Sequence, residues 1–372
     1  MKRVLVTGSR GFIGSNLVLA LKRQADIEIF EFDVDFPYSF LLEAINKADF
    51  IFHLAGINRP KSISEYETGN AGFTLKLLEE VERANKKPVI VFSSSIQAEL
   101  ENPYGTSKRK AEEILINWAR RNDSVAVIYR LPNVFGKWCR PNYNSAVATF
   151  CHNIARGLDI EITDPERILR LVYVDDVVQE FIHLLNDQPS SGSYYREVKP
   201  VFEIKISSLV DLIKSFKESR KTLILPDFSD PFIKRLYATY VSYLPENEFA
   251  YSLTLRSDKR GELAELLKSS TFGQMFISRT RPGEVRGNHY HDSKVEKFMV
   301  IEGEALLKFR HILKDEIIQY RISGKEFKII DIPPGYTHSI ENVGHVDLIV
   351  LFWADEIFNP EGPDTYYFEV ER

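Results

Sequence analysis

RVLVTGSRGFIG, residues 3–14, decides the fold of the first half of this chain. Arg3 to Gly8 is a short apolar run and reads as a buried strand. Gly8, Gly11 and Gly14 follow as GxxGxxG, and residues Phe12 to Lys22 read as a helix. Strand, glycine turn and helix in that order let the backbone approach a pyrophosphate, which the helix N-terminus stabilises. A glycine turn can also be merely structural, so its neighbours have to decide.

Working outward, IEIFEFD ends at Asp33 as a second strand, ADFIFHLAG (Ala48 to Gly56) reads as a third and KPVIVFSSS (Lys87 to Ser95) as a fourth. Asn102 to Arg121 has helical periodicity, and SVAVIYRLPNVFG (Ser124 to Gly136) opens with another strand. Strands alternating with helices predict right-handed crossovers and a Rossmann-type doubly wound parallel α/β sheet. The pattern changes near residue 245. FGQMFISRT, EKFMVIEGEALLKFR, EIIQYRIS, EFKIIDIPPG and VDLIVLFWA are short β-rich runs parted by Gly, Pro, Asn and Asp. Their close spacing predicts a small all-β barrel. The expected domains are 1–245 and 246–372, with the stretch from Ile233 to Glu248 as linker.

Composition narrows the partners. A chain of 372 residues suits two domains, and 44% hydrophobic residues suffice for two cores. A net charge of −5 gives no reason to expect nucleic acid or an anionic membrane. Cys139 and Cys151 read as two reduced thiols, without disulfide or CxxC spacing. No apolar run approaches the ~18 residues of a membrane span. Met1 to Arg10 reads as strand and loop, not as a signal peptide. The expectation is a soluble cytoplasmic protein.

Tyr104 and Lys108 form YxxxK, which on a helix puts both on one face. A nearby ammonium and a nicotinamide ribose can lower the pKa of a tyrosine, which then passes a proton to or from a carbonyl oxygen during hydride transfer. Ser95, with Ser94 and Ser93 before it, ends the strand facing that helix. Asp33 ends the second strand, where an acidic side chain accepts ribose hydroxyls. Arg10, inside the glycine loop, is a cation suited to a 2′-phosphate. Lys137, Trp138, Arg140 and Asn144 follow NVFG and could hold a substrate; a Lys/Arg pair suits a diphosphate. His53 reads as a packed strand residue, and Asp175 and Asp176 as caps of the following helix.

Residues 1 to about 245 resemble an extended short-chain dehydrogenase/reductase acting on nucleotide sugars. TGSRGFIG, HLAG (His53 to Gly56), Asn70, SSS (Ser93 to Ser95), YGTSK (Tyr104 to Lys108), RLPNVFG (Arg130 to Gly136) and VYVDDV (Val172 to Val177) carry the likeness. It implies Ser95, Tyr104 and Lys108 as catalytic residues. Gly8, Arg10, Gly11, Phe12, Ile13, Gly14, Asp33, Leu54, Ala55, Gly56, Ser93, Tyr104, Lys108 and Leu131 would hold the dinucleotide. Asn133 joins the four residues after NVFG against the substrate. Between NADH and NADPH the sequence is divided; NADPH is favoured because a biosynthetic reductase is expected to use it. Only eight residues part Ser95 from Tyr104, fewer than the family usually has, so the loop over the sugar must be reduced or replaced.

The second half carries its own cluster. Gly283, His289, His291, Glu296 and Gly303 are followed by Pro333, Gly335, His338 and Asn342. Imidazoles at i, i+2 share one face of a strand, and three imidazoles with one carboxylate make a divalent metal site. The spacing resembles the cupin signature, although Gly324 lies too far from Pro333 to open its second half. The expected ligands are His289, His291, Glu296 and His338. Such a set is compatible with Zn, Mn, Fe or Ni, with zinc preferred in a non-redox role, either polarising a sugar oxygen or purely structural. His311, Lys308, Tyr336 and His345 are candidate proton carriers.

Over almost its whole length the chain is similar to bifunctional capsule and O-antigen enzymes that fuse these two domains. The resemblance implies C3 epimerisation of UDP-2-acetamido-2,6-dideoxy-β-L-arabino-hexos-4-ulose in the cupin. C4 reduction with NADPH would follow, giving UDP-2-acetamido-2,6-dideoxy-β-L-talose, a precursor of UDP-N-acetyl-L-fucosamine. It also implies a homodimer. Two other readings stay open: a nucleotide-sugar 4-epimerase or dehydratase with a structural cupin, and a non-catalytic dinucleotide and sugar sensor.

Overall fold

A central parallel sheet organises the first half. Its strands are β1 (Lys2–Thr7), β2 (Ile27–Phe32), β3 (Phe50–His53), β4 (Val89–Ser95) and β5 (Val125–Leu131). Three short strands follow, β6 (Asn133–Phe135), β7 (Ile168–Tyr173) and β8 (Gly192–Arg196), and then β9 (Phe202–Lys205). This computed structural model describes residues 1–187, 189 and 192–371. The sheet order is β2-β1-β3-β4-β5-β8, and every pairing is parallel. A smaller sheet has the order β6-β7-β9.

The helices are α1 (Phe12–Leu21), α2 (Tyr38–Lys47), the single turn α3 (Ser64–Tyr66), α4 (Phe73–Arg83), α5 (Pro103–Asn122), α6 (Ala146–Arg156), α7 (Val174–Asn186), α8 (Ile206–Thr222) and α9 (Pro231–Val241). Leu17 and Leu21 of α1 join Val178 and Phe181 of α7 in one buried layer. Leu41 of α2, Leu77 of α4, and Leu115 and Trp118 of α5 form another. Consecutive strand residues alternate between these layers: Val4 and Val6 belong to the first, Leu5 to the second. A sheet buried on both faces needs apolar residues at every position, which is why VLV, FIF and VIVF read as unbroken runs. From β1 the chain passes to β2 on one side and returns to β3 on the other. That reversal opens a crevice at the carboxyl ends of β1 and β3.

Among the described residues, the second half is built from eleven strands in two antiparallel sheets. Strands β10 (Leu255–Asp258), β11 (Gly261–Ser269), β12 (Gly273–Thr280), β14 (Glu296–Glu302), β17 (Ile329–Ile332) and β19 (Leu348–Ala354) form the order β10-β11-β12-β19-β14-β17. Strands β13 (Val285–Tyr290), β15 (Glu304–His311), β16 (Ile317–Ser323), β18 (Tyr336–Asn342) and β20 (Tyr366–Tyr367) form β16-β15-β18-β13-β20. Phe298, Val300, Leu307, Ile340 and Phe352 belong to one core cluster drawn from both sheets. This is a cupin-type barrel.

The chain packs as two compact units, residues 1–214 with 235–245, and residues 215–234 with 246–372. Residues 215–234, which the sequence reading placed with the first half, pack with the second. There Leu225 N–H donates to the Lys268 carbonyl at 2.8 Å, and Lys268 N–H to the Leu223 carbonyl at 2.7 Å. The chain passes between the units at 234/235 and 245/246, within the stretch 233–248, and much of that stretch is helical. Helix α9 runs through it, started by Asp230, whose carboxylate accepts from Phe232 N–H at 2.7 Å. Phe232, Leu236 and Tyr240 recur every four residues and are all buried.

Candidate active sites

The first site lies at the carboxyl ends of β1 and β3, in a cleft of about 1110 Å³. Gly8 has φ +69°, and a Cβ there would sit 2.7 Å from the Ala55 nitrogen. A Cβ on Gly14 would sit 2.0 Å from the Gly8 carbonyl oxygen, so α1 closes on the loop only with glycine there. Gly11 caps α1 without a side-chain acceptor, and no acidic residue lies in its first turn. The free N–H groups of that turn can therefore receive an anion. At the end of β2, Asp33 accepts from Arg10 N–H and Val34 N–H, each at 2.8 Å. The Arg10 guanidinium pairs with Asp35 and stacks 4.8 Å from the Phe36 ring centroid. Donors, glycines and a ribose acceptor thus suit a dinucleotide. Every residue assigned to the dinucleotide in the sequence lines this cleft, and so does Ser95.

Asn102 caps α5 by accepting from Gly105 N–H at 2.8 Å, which places Tyr104 in the first turn and Lys108 one turn deeper. Burial pushes the phenol of Tyr104 up to about 12, and the neighbouring Ser95 hydroxyl opposes the rise. Lys108 Nζ donates to the Ser93 carbonyl at 2.9 Å. Burial brings Lys108 down to about 8, and Glu112 opposes the fall. Tyr104 is therefore a protonated acid, with a charged lysine under it near neutral pH. The eight-residue connection from Ser95 is one 3₁₀ turn, Ile96–Glu99, whose Gln97 N–H donates to Ser95 Oγ at 3.2 Å.

Beneath this set lies a group the motif reading missed. Glu112 is 1% exposed and accepts from Ser94, from Tyr195 at 3.0 Å, and from Arg130 at 3.0 and 2.6 Å. Its signal was available: it lies one helical turn beyond Lys108 on the same face, and a buried carboxylate requires partners. His53 is structural, with Nδ1 2.8 Å from Thr7 Oγ1 and Nε2 2.9 Å from Thr74 Oγ1. Burial lowers it to about 3.

Asn133, Trp138, Arg140 and Asn144 line the cleft; Lys137 does not. Lys137 Nζ donates to Asp175 at 2.5 Å, and Asp176 binds Arg235 through two bonds of 2.9 Å. The two aspartates hold cations and do not cap α7, whose N-cap is Tyr173. Trp138 stands 55% exposed on a left-handed backbone, φ +68°.

The second site belongs to the barrel. His289 is on β13, after a bulge at Gly287, and His291 lies just past the strand's end. Glu296 opens β14 and His338 is on β18, opposite His289. One donor atom from each of these four residues lies within 4.8 Å of the others. The Nε2 atoms of His291 and His338 are buried without a hydrogen-bond partner, 3.3 and 3.7 Å from Glu296 Oε2. Burial brings His289 down to about 4 and His338 to about 3. Burial would raise Glu296, but contacts with His291, His338 and Lys294 outweigh it and hold the carboxyl at about 2. Neutral imidazoles at His289 and His338 beside an ionised Glu296 are protonation states a metal requires, so this set fits a divalent ion.

Of the four candidate proton carriers, Lys308 is engaged by Glu371 at 2.8 Å and Glu341 at 3.8 Å, and His345 is exposed. Tyr336 shares the strand face of His338, two residues away, and its ring meets that of His311 at 5.0 Å. One further residue escaped the sequence reading. Asp364 holds the turn after His291, accepting from Asp292, Ser293 and Lys294 N–H, each at 2.8 Å. Seventy residues of chain separate the partners, and no short-range pattern announces it.

Residues 4–195 match the NAD dependent epimerase/dehydratase family, and residues 256–366 the polysaccharide biosynthesis C-terminal domain. A UDP-2-acetamido-2,6-beta-L-arabino-hexul-4-ose reductase of Pseudomonas aeruginosa is 44% identical over 364 residues, 98% of each chain. The capsular polysaccharide assembling protein CapF of Staphylococcus aureus superposes with a TM-score of 0.92 at 43% identity, over 98% of this chain and 99% of that one. A UDP-glucuronic acid 4-epimerase of Bacillus cereus shares the fold alone, with TM-score 0.52 and 19% identity over 58% of this chain and 83% of its own. Matching residues, strand order and glycine cleft agree: the chain belongs to the NAD dependent epimerase/dehydratase family and carries a polysaccharide biosynthesis C-terminal domain.

Proposed function

We propose that this protein is a bifunctional nucleotide-sugar enzyme of capsule or O-antigen synthesis. In the barrel it epimerises C3 of UDP-2-acetamido-2,6-dideoxy-β-L-arabino-hexos-4-ulose. In the cleft it reduces the C4 ketone to give UDP-2-acetamido-2,6-dideoxy-β-L-talose. The observation that carries the reading is the gathering of Ser95, Tyr104 and Lys108 in the cleft that also holds the glycine turn. The 44% identity to a reductase of such a 4-ulose supports it.

Tyr104, kept protonated by burial, donates its proton to the C4 oxygen. Ser95 holds the phenol and the carbonyl in register. Lys108, anchored on Ser93, stabilises the phenolate left behind. NADPH, when bound on the glycine turn, supplies the hydride. Arg10 is the cation available to its 2′-phosphate, and binding there requires Arg10 to leave Asp35.

In the barrel, the C4 ketone acidifies the C3 hydrogen, which is removed and returned on the opposite face. His289, His291, Glu296 and His338 would hold a divalent ion, zinc in this reading, which supplies charge stabilisation for an adjacent oxygen. Among the described residues no helix is long and apolar enough to cross a membrane. The protein in this reading is a cytoplasmic homodimer; light scattering on the purified protein tests the dimer.

The test uses full-length protein in D₂O. Without NADPH, wild type should place deuterium at C3 of the 4-ulose, and His289→Ala should not. His289→Ala should still consume NADPH with the C3-epimerised ketone. Wild type that never consumes NADPH, or exchange at C3 that survives His289→Ala, would overturn the assignment.

A further inference from the structure

The cleft rim holds two guanidiniums gathered at one aromatic ring. Cζ of Arg59 lies 5.5 Å from the Tyr143 ring centroid, and Cζ of Arg140 lies 5.2 Å from it. Arg59 belongs to the segment after β3, whereas Arg140 and Tyr143 belong to the segment after β6. Two distant stretches of chain therefore converge on one spot. Tyr143, Arg140 and Asn58, the neighbour of Arg59, line the cleft.

Among the described residues, neither arginine has a carboxylate partner. Arg10, at the glycine loop, is paired with Asp35, and Lys137 with Asp175. The ring face attracts each cation but neutralises neither. An anion with several oxygens would neutralise them, because each planar guanidinium can donate two parallel bonds to phosphate. The glycine turn and the N-terminus of α1 already provide for the pyrophosphate of a dinucleotide. A second anion site in the same cleft belongs to a second ligand.

We infer that Arg59 and Arg140, with Tyr143 between them in the chain's folding as a shared platform, bind the diphosphate of the nucleotide-sugar substrate. Arg59 thus fills the role expected for Lys137. This inference rests on the nucleotide-sugar reading above.

Titration of the full-length protein with UDP, uridine and NADPH separates the possibilities. Arg59→Ala and Arg140→Ala should each weaken UDP by at least ~10-fold, the scale of a lost charge-assisted hydrogen bond. Uridine and NADPH should bind each variant as they bind wild type. Both arginines are exposed, so folding is not at stake. Unchanged UDP affinity in Arg59→Ala overturns the subsite, and so does an equal loss of UDP and uridine. Wild type that binds NADPH but no UDP overturns the nucleotide-sugar reading itself, and the subsite with it.

Discussion

Nδ1 of His291 stands 2.5 Å from the backbone carbonyl oxygen of Asp364. A carbonyl only accepts, so Nδ1 carries a proton, and Nε2 is the nitrogen left facing Glu296. The same residue's carboxylate gathers Asp292, Ser293 and Lys294, and those bonds hold it well below the usual carboxylate range despite the cost of its desolvation. Asp364 thus orients a metal ligand from outside the ligand set. Asp364→Ala keeps that carbonyl but removes the carboxylate that anchors it to the turn, so metal affinity should fall ~10-fold, the low end for lost outer support. Competition against a chelator measures it; unchanged affinity would show that the turn holds His291 unaided.

Tyr104→Phe should cut kcat for NADPH oxidation with the 4-ulose by ~10²–10⁴, the usual worth of a placed acid. The phenyl ring keeps the contact with Tyr66, 5.7 Å away, so the cleft should stay intact. NADPH binding, followed by fluorescence, and deuterium exchange at C3 should both persist. Loss of both would mean that the substitution damages more than proton delivery.

Lys108 links rate to pH with a definite sign. Its ordinary value is 10.5, and burial brings it to about 8, with Glu112 opposing the fall. Reductase kcat/KM should therefore decline as pH rises through about 8, as the ammonium under Tyr104 disappears. Stability should move the other way. Between 8 and 10.5 the unfolded chain binds more protons at this lysine, so its contribution to stability rises with pH. Activity lost there is not unfolding, which melting curves across the same range would confirm. Glu112→Gln should shift the decline to lower pH; an unmoved profile would deny Glu112 this role.

Gly14→Ala tests the packing of the glycine turn. Its Cβ would meet the Gly8 oxygen at 2.0 Å, and both atoms belong to backbone that cannot swing aside. A loss of ~1–3 kcal/mol is expected from such overpacking, read as a lower Tm, together with weakened NADPH binding. Epimerisation in the barrel should continue, since no ligand of that site lies in the first unit.

Local chemistry was the legible part. Period-2 and unbroken apolar runs, the glycine turn and the i, i+4 pair at Tyr104 and Lys108 depend on neighbours in sequence, and so announce themselves. So do His289 and His291, with Glu296 and His338 at fixed offsets. What failed depended on distant partners. Lys137 looked like half of a diphosphate clamp because nothing near it in sequence shows that Asp175 neutralises it. The expected linker at 233–248 rests on the change of pattern near residue 245; it passes over the spacing of four between Phe232, Leu236 and Tyr240, a buried helical stripe. The burial that pushes Tyr104 up is a tertiary property that no local pattern shows.

The Glu112 hub also sets an order of assembly. Its carboxylate draws on Ser94 before it in the chain, and on Arg130 and Tyr195 after it. Tyr195 sits on β8, which pairs with β5 across more than sixty residues of intervening chain. During synthesis the glycine turn and its crevice can form while that strand is still unmade. The charge beneath the catalytic helix cannot be fully satisfied until it emerges. A nascent chain could therefore gain its dinucleotide cradle before its proton-transfer machinery is braced, with the edge strand as the last piece placed.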